Sequence, residues 1–410
     1  MKKLLLSSSF ITVLVMGINF LFKIYLSYKI SKHELGLFYT FMDLIAIGVM
    51  AFSGFKDSLV KAFDEEYFKG VVYWYLISFW GLFIITCCFE IIYYNYFFEY
   101  KIFPLYYLVI MLFVNALAIF FSYFNAAWKQ YRVMLFENLF MAIGLVGSFF
   151  ILSSFLDDLN SLFLAFVFSY LIKVFFIYKF SELKFTYEKF TFNQVKDFFK
   201  NNILTALMYF FSGLGISLAS LIIIKLFRDI DFLSEYQVVI RSIFFSLVSI
   251  FVFPLNSFTF PEISKLIARG MIDEIKRFDR KLIFYLSIFF LVIIVSLFLT
   301  PFIVKFIFPR EYEKSYKMLN LLLPTLPFLA YTTFSLNILK GFNRFDLALR
   351  VRVFGFLLFL SVVALFYIMH FDAKSVIYSF IVSFLGMFLL ALKYKKRLLN
   401  ENTLYSSCTK

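Results

Sequence analysis

Four ionisable residues stand well inside apolar stretches of this chain: Lys23, Asp43, Lys173 and Arg241. A charge in hydrocarbon costs about 3 kcal/mol or more, so such a side chain is expected to face a partner or a cavity and to mark an ion or substrate path. Lys23 lies about seven residues before the end of one apolar run and Asp43 about seven after the start of the next, which at 1.5 Å per residue puts both roughly 10 Å below the same surface. A structural salt bridge across that hairpin and a role toward substrate or a coupling ion are both open to this pair. Arg241 sits about five residues into its run, roughly 8 Å deep, with Glu235 at the rim as its acidic neighbour, and this favours a cavity-facing role. Lys173 either faces a cavity or snorkels to the nearer surface. Lys225, Lys305, Glu90 and Glu137 lie closer to the ends of runs and are expected at an interface.

Other chemistry finds no footing. Cys87 and Cys88 are adjacent within an apolar run and Cys408 is far off in the tail, so neither a disulfide framework nor a metal-ligand spacing is present. His33 and His370 stand apart and are expected to be structural or interfacial. No metal or other cofactor is expected, and with no paired acidic motif in the loops the chain does not read as an enzyme. Intramembrane asparagines (Asn19, Asn115, Asn125, Asn138, Asn256, Asn337) suit either a polar path or hydrogen bonds between helices.

The elements that must position these residues follow from composition. With 62% hydrophobic and 16% charged residues and a mean hydropathy of +0.87, the chain reads as a multi-pass membrane protein. Its net charge of +14 is carried by short clusters between apolar runs, where lysine and arginine set topology and touch anionic lipid, so nucleic acid is not an expected partner. The 65 phenylalanines and 27 tyrosines are spread throughout and single out no aromatic-lined path. After Met1-Lys2-Lys3 the chain stays apolar to about Ile30, longer than a signal-peptide core and without a small-residue cleavage site, which predicts a first transmembrane helix.

Spans are predicted at about 8–30, 36–57, 71–92, 104–127, 135–156 and 162–180, then at about 203–227, 236–258, 281–307, 316–338, 347–369 and 374–394. The expected architecture is an all-α integral membrane protein of about twelve transmembrane helices. Residues 1–180 would form an N-terminal six-helix lobe, 181–202 a cytoplasmic amphipathic linker, 203–397 a C-terminal six-helix lobe and 398–410 a cytoplasmic tail. In the linker, Val195, Phe198, Phe199 and Ile203 form an apolar stripe with Lys189, Lys196 and Lys200 off it, and Thr191 with Gln194 supplies a capping box. Basic residues such as Lys129, Arg132, Arg269, Lys276, Arg277, Arg280 and the run Lys393, Lys395, Lys396, Arg397 gather on the side that holds both termini, which predicts cytoplasmic N- and C-termini.

Six spans per half make any duplication a parallel repeat. Sliding the chain by 198 positions lays Leu35-Gly36-Leu37-Phe38 over Leu233-Ser234-Glu235-Tyr236 and Asp43 over Arg241. Two pseudo-symmetric lobes around a central cleft are therefore expected.

Several short stretches carry a family resemblance: Leu35-Gly36-Leu37-Phe38-Tyr39, Ser234-Glu235-Tyr236 with Arg241, Phe260-Pro261-Glu262-Ile263-Ser264-Lys265, Pro301 to Phe308 leading to Glu311-Tyr312, and Leu339-Lys340-Gly341-Phe342-Asn343-Arg344. In this order and spacing the chain resembles the polysaccharide-transport flippases, the O-antigen-type lipid-linked oligosaccharide translocases of the multidrug/oligosaccharidyl-lipid/polysaccharide exporter superfamily. The resemblance implies alternating access without covalent chemistry in the bacterial cytoplasmic (inner) membrane. It implies as substrate an oligosaccharide on undecaprenyl diphosphate, moved outward for a surface polysaccharide such as lipopolysaccharide O-antigen or capsule. Membrane lipids and a polysaccharide polymerase or glycosyltransferases are the implied partners. On this footing Arg241, Lys23 and Lys173 are the substrate-binding candidates, since a diphosphate needs sheltered cations, and Asp43 is the ion-coupling or structural residue. The lipid II flippases of the superfamily have more spans and more arginines in their first helices than this chain. A multidrug or cation exporter of the same fold is the alternative. A membrane glycosyltransferase or ligase is disfavoured because every outer loop is short.

Overall fold

The computed structural model describes residues 2–62, 68–98, 103–128, 130–181 and 196–408. Among them every regular element is helical. The helices are α1 (Lys2–Lys29), α2 (Lys32–Met50), α3 (Ser53–Ala62), α4 (Phe68–Phe97), α5 (Leu105–Ala127), α6 (Tyr131–Leu152), α7 (Asp158–Phe180), α8 (Lys196–Ile222), α9 (Ile230–Glu235), α10 (Arg241–Ala268), α11 (Ile272–Ser296), α12 (Thr300–Ile307), α13 (Tyr316–Leu322), α14 (Leu326–Gly341), α15 (Phe345–Ile368) and α16 (Ser375–Cys408). Each of the twelve predicted spans falls on helix. Among the described residues ten helical runs are long and apolar enough to cross a bilayer, α11 and α12 form a pair bent by 60°, and the apolar part of α6, Phe136–Leu152, is shorter. Pro301 in the first turn of α12 accounts for that break, because its ring nitrogen has no proton to continue the ladder from α11. The chain is an all-α, multi-pass membrane protein.

The chain divides into two compact units, Met1–Lys225 and Leu226–Lys410. In the first, an aromatic core joins α3, α4, α5 and α8 through Phe52, Phe55, Tyr75, Phe79, Phe120, Phe124 and Phe198. Tyr75 stacks flat on Phe120 with centroids 5.0 Å apart, and its buried hydroxyl donates to the Phe120 carbonyl, so the ring keeps its polar tip satisfied inside an apolar wall. The sequence places the helix after the linker in the second lobe, yet α8 packs along α2 and α3 of the first unit. Its contacts run its full length. Phe198 meets Phe55, Asn202 fits against Gly54, where a Cβ would come within 2.1 Å of its side-chain oxygen, Gly213 admits Met50, and Ser220 bonds to Asp43.

Most of the expected amphipathic linker, with Val195, Thr191 and Gln194, lies outside the described residues. From Lys196 onward its sequence is the first turn of α8. Lys196 and Lys200 are exposed there, whereas Phe198 is buried in the aromatic core instead of resting in headgroups, because α8 continues directly into its span and that face meets α3. At the other end of the chain α16 runs on to Cys408, so the expected tail begins as helix.

The second unit is built on α14, which packs against α10 and α16, and on the α15–α16 pair. Glycines set the closest approaches: Gly355 leaves room for Met387 and Gly386 for Leu358. One polar clamp ties three helices. Lys395 of α16, 2% exposed, reaches both oxygens of Asp279 on α11 at 2.8 and 2.7 Å, Tyr331 of α14 donates to Asp279, and Lys395 also meets the Tyr331 hydroxyl.

The 198-residue register is visible in local structure. Ser31 caps α2 by accepting from the Glu34 amide, and Asp229 caps α9 by accepting from the Phe232 amide. Each cap precedes its helix by one residue, so N-cap falls on N-cap and helix start on helix start.

Candidate functional site

The residues singled out by charge and depth fall into three places. Arg241 belongs to the second unit. The helix that carries it starts at Ile230 and not near 236, so Arg241 is about eleven residues in, roughly 17 Å along the axis and deeper than expected. Helix α9 passes into α10 through a π-helical turn, Tyr236–Ile240, in which the Arg241 amide donates to the Tyr236 carbonyl. The guanidinium donates through Nη1 to Oε1 of Gln237 at 3.0 Å. It borders a recess walled by Tyr236, Phe244, Phe245, Leu322, Phe380 and Phe384. Several of these rings lie nearly parallel: Tyr236 to Phe380 at 11°, Phe380 to Phe384 at 25° and Phe244 to Phe384 at 6°. The free space is about 10 Å³, room for one water molecule, so a larger ligand needs these helices to part.

Lys23 and Asp43 both belong to the first unit, each with a partner of its own. The Lys23 ammonium lies over the Tyr39 ring, 3.7 Å from its centroid, a cation–π contact whose strength grows as water is excluded. Tyr39 is one helical turn before Asp43 on α2. Asp43 is 3% exposed and accepts from the Ser220 hydroxyl of α8 at 2.6 Å. This carboxylate therefore ties α2 to α8 while sharing a helix with the ring under Lys23.

Lys173 belongs to a third group. Its ammonium is 3.4 Å from Glu137 Oε1 and donates to Asn138 Oδ1 at 2.9 Å. Asn125 donates to the other Glu137 oxygen at 3.4 Å and accepts from Ser181. The network links α5, α6 and both ends of a charge pair in a largely buried site, so the nearer surface is not where Lys173 points. Glu137 and Glu90, both expected at an interface, are buried at 5% and 2% exposure, because each turns toward a neighbouring helix and not toward the rim.

Sequence reading missed Gln237, Ser220, Tyr39 and the Asn125–Glu137 link. Gln237 and Tyr39 were legible as residues four positions before Arg241 and Asp43, a spacing that places side chains on one helical face. Ser220 has no such signal, since it is brought to Asp43 only by the packing of α8. Among the described residues no group of three or more His, Cys, Asp or Glu is placed to hold a metal ion.

No protein-family model matches the chain, and no curated protein matches it in sequence. Solved structures do match over nearly its full length. A multidrug resistance MATE family transporter of the MOP superfamily, in an inward-facing conformation, aligns with a TM-score of 0.74 at 12% identity, covering 94% of each chain. The fold is that of these transporters. The lipid II flippase MurJ, in an inward closed conformation, aligns at 0.71 and 15% identity over all of this chain and 91% of its own. A MOP superfamily transporter from Pyrococcus furiosus, whose binding pocket is described as reversed in polarity, aligns at 0.67 and 15% identity, covering 98% of this chain and 96% of its own.

Proposed function

We propose that the chain is a flippase that moves an undecaprenyl-diphosphate-linked oligosaccharide from the cytoplasmic to the outer leaflet, by alternating access, for surface polysaccharide synthesis. The observation that carries the reading is Arg241, set at mid-span directly after a π turn and beside a recess with aromatic walls. A guanidinium can grip two phosphate oxygens at once, and flat rings beside it suit the apolar faces of sugars. π turns within helices concentrate at functional positions. Lys23 is the second proposed cation. Lys173 would join only by exchanging Glu137 for phosphate, and Asp43 serves as ion-coupling or structural residue. The likeness to MurJ, described as a lipid II flippase, agrees with a lipid-linked cargo. An inside-negative potential favours outward movement of an anion by about 2.3 kcal/mol per charge per 100 mV when the full field is crossed.

The second reading is a multidrug or cation exporter of the same fold, favoured by the buried carboxyls Asp43 and Glu90 and by the MATE structures. One substitution separates the two. Arg241→Ala, expressed at native level and inserted normally, is expected to abolish surface glycan, and Arg241→Lys to restore only part of it. An exporter of cations would tolerate Arg241→Ala. Normal surface glycan in a strain carrying only that variant overturns the site and the anionic-substrate reading with it.

A further inference from the structure

Glu90 lies on α4, inside the apolar run Lys69–Phe97, and is 2% exposed. Its Oε2 is buried with no hydrogen-bond partner. Its Oε1 rests against Gly48 of α2: a Cβ at position 48 would meet Oε1 at 2.8 Å, the Thr86 methyl at 2.9 Å and the Glu90 Cγ at 3.1 Å. Gly48 thus opens a notch in α2 that the carboxyl fills.

Among the described residues the one cation seen against α4 near this end is Lys225, whose ammonium lies over the Tyr96 ring, 4.6 Å from its centroid, six residues beyond Glu90. On α4 the ionisable neighbours within a turn are Cys87 and Cys88 before it and Tyr93 and Tyr94 after it, all uncharged groups when protonated, and the Tyr94 hydroxyl goes to the Phe103 carbonyl. On α2 they are Lys32, His33, Glu34, Tyr39 and Asp43, all on turns before Gly48, with Asp43 engaged by Ser220. Helix α5 offers Tyr106, Tyr107 and Tyr123 and no charged residue. Helix α3 carries Lys56, Asp57 and Lys61 but packs on the opposite end of α4, around Val71 to Phe79. Among the described residues no cation pairs with Glu90. An ionised carboxylate with one bare oxygen in an apolar wall is strongly disfavoured, whereas the neutral acid fits it.

We propose that Glu90 is a proton-binding site built into the seam between α2 and α4, holding H⁺ while Gly48 is packed against it and releasing H⁺ to water when the seam parts. One proton is thereby tied to the position of α2, the helix that also carries Asp43 and binds α8. The inference does not depend on what cargo is carried.

The test uses the full chain, purified in lipid nanodiscs, without substrate. Infrared difference spectra between acidic and alkaline buffer should show loss of a carboxylic-acid carbonyl band, and Glu90→Gln should lack that band. A spin-label pair on the outer ends of α2 and α4 should report a seam distance that titrates in the parent protein and is independent of pH in Glu90→Gln. Gln is isosteric with the neutral acid and keeps the packing. Gly48→Ala, which crowds the carboxyl out of its notch, should move the transition to lower pH by on the order of one unit. A carbonyl band that persists in Glu90→Gln, or a seam that titrates in Glu90→Gln as in the parent, overturns the proposal and makes Glu90 a packing residue only.

Discussion

Replacing Lys173 by Met leaves Glu137 buried without its cation, and the cost can be worked from the geometry. At 3.4 Å and an effective dielectric constant of about 20, the pair attracts by roughly 5 kcal/mol, most of it offset by the desolvation of two groups that are only 12% and 7% exposed. Breaking such a pair costs about 3–5 kcal/mol, because the remaining charge keeps its desolvation penalty and loses its compensation. The Asn125 amide at 3.4 Å is too distant to replace an ammonium. Lys173→Met should therefore destabilise the first unit by about 3 kcal/mol, and Glu137→Leu by a similar amount. The double variant should return to within about 1 kcal/mol of the parent, giving a coupling energy of about 5 kcal/mol in magnitude. All three tryptophans, Trp74, Trp80 and Trp128, belong to that unit, so tryptophan fluorescence during denaturant unfolding in mixed micelles reads the relevant transition. Parent-like stability in both single variants together with lost transport would refute the structural account and return Lys173 to the substrate path.

Two further outcomes are expected. A reporter active only outside the cell should be silent when fused after Lys196 and active after Asp158, and reversed signals would invert the direction of transport proposed above. Asp157 caps α7 through the Asn160 amide at 3.0 Å and takes the Asn160 side chain at 2.7 Å, so Asp157→Ala should cost about 1 kcal/mol in thermal unfolding. The donors of Asn160 hold the Asp157 carboxyl below the usual aspartate range. The folded state then binds fewer protons than the unfolded one, and the contribution, whole above the ordinary aspartate value, fades as pH falls through the lowered one. Parent and Asp157→Ala should converge in acid, and a gap that stays constant with pH would refute the cap.

Hydropathy alone placed all twelve apolar runs, because a bilayer demands length and apolarity that few other elements supply. It misjudged where the span of Arg241 begins. Asp229, Asp231 and Glu235 read as loop, whereas Asp229 is the cap and the other two lie in the first turns of a helix that extends outward. Azimuth was equally hidden. Glu90 and Glu137 lie near the ends of their runs by counting, but only the packing shows that they turn toward neighbouring helices. The allegiance of α8 rests on Gly54 against Asn202 and Gly213 against Met50, contacts between single small residues and their partners that leave no periodic trace. For the site, the charges could be picked out by type and depth, while Ser220 and the aromatic walls around Arg241 come from distant parts of the chain and required the fold.

The turn at Tyr236–Ile240 bears on what the internal duplication can mean. Its wider winding takes up one residue more than an α-helical turn, and α2 has no such insertion over Lys32–Met50. The two related helices therefore keep step only through their first five or six residues. Beyond that point each later side chain on the Arg241 helix lags its numerical counterpart by about one position, close to 100° of rotation. The true azimuthal equivalent of Asp43 is then nearer to Ser242 than to Arg241. The arginine owes its outlook to a slipped phase, and removing one residue from the turn would swing it, with all of α10 behind it, onto a different face.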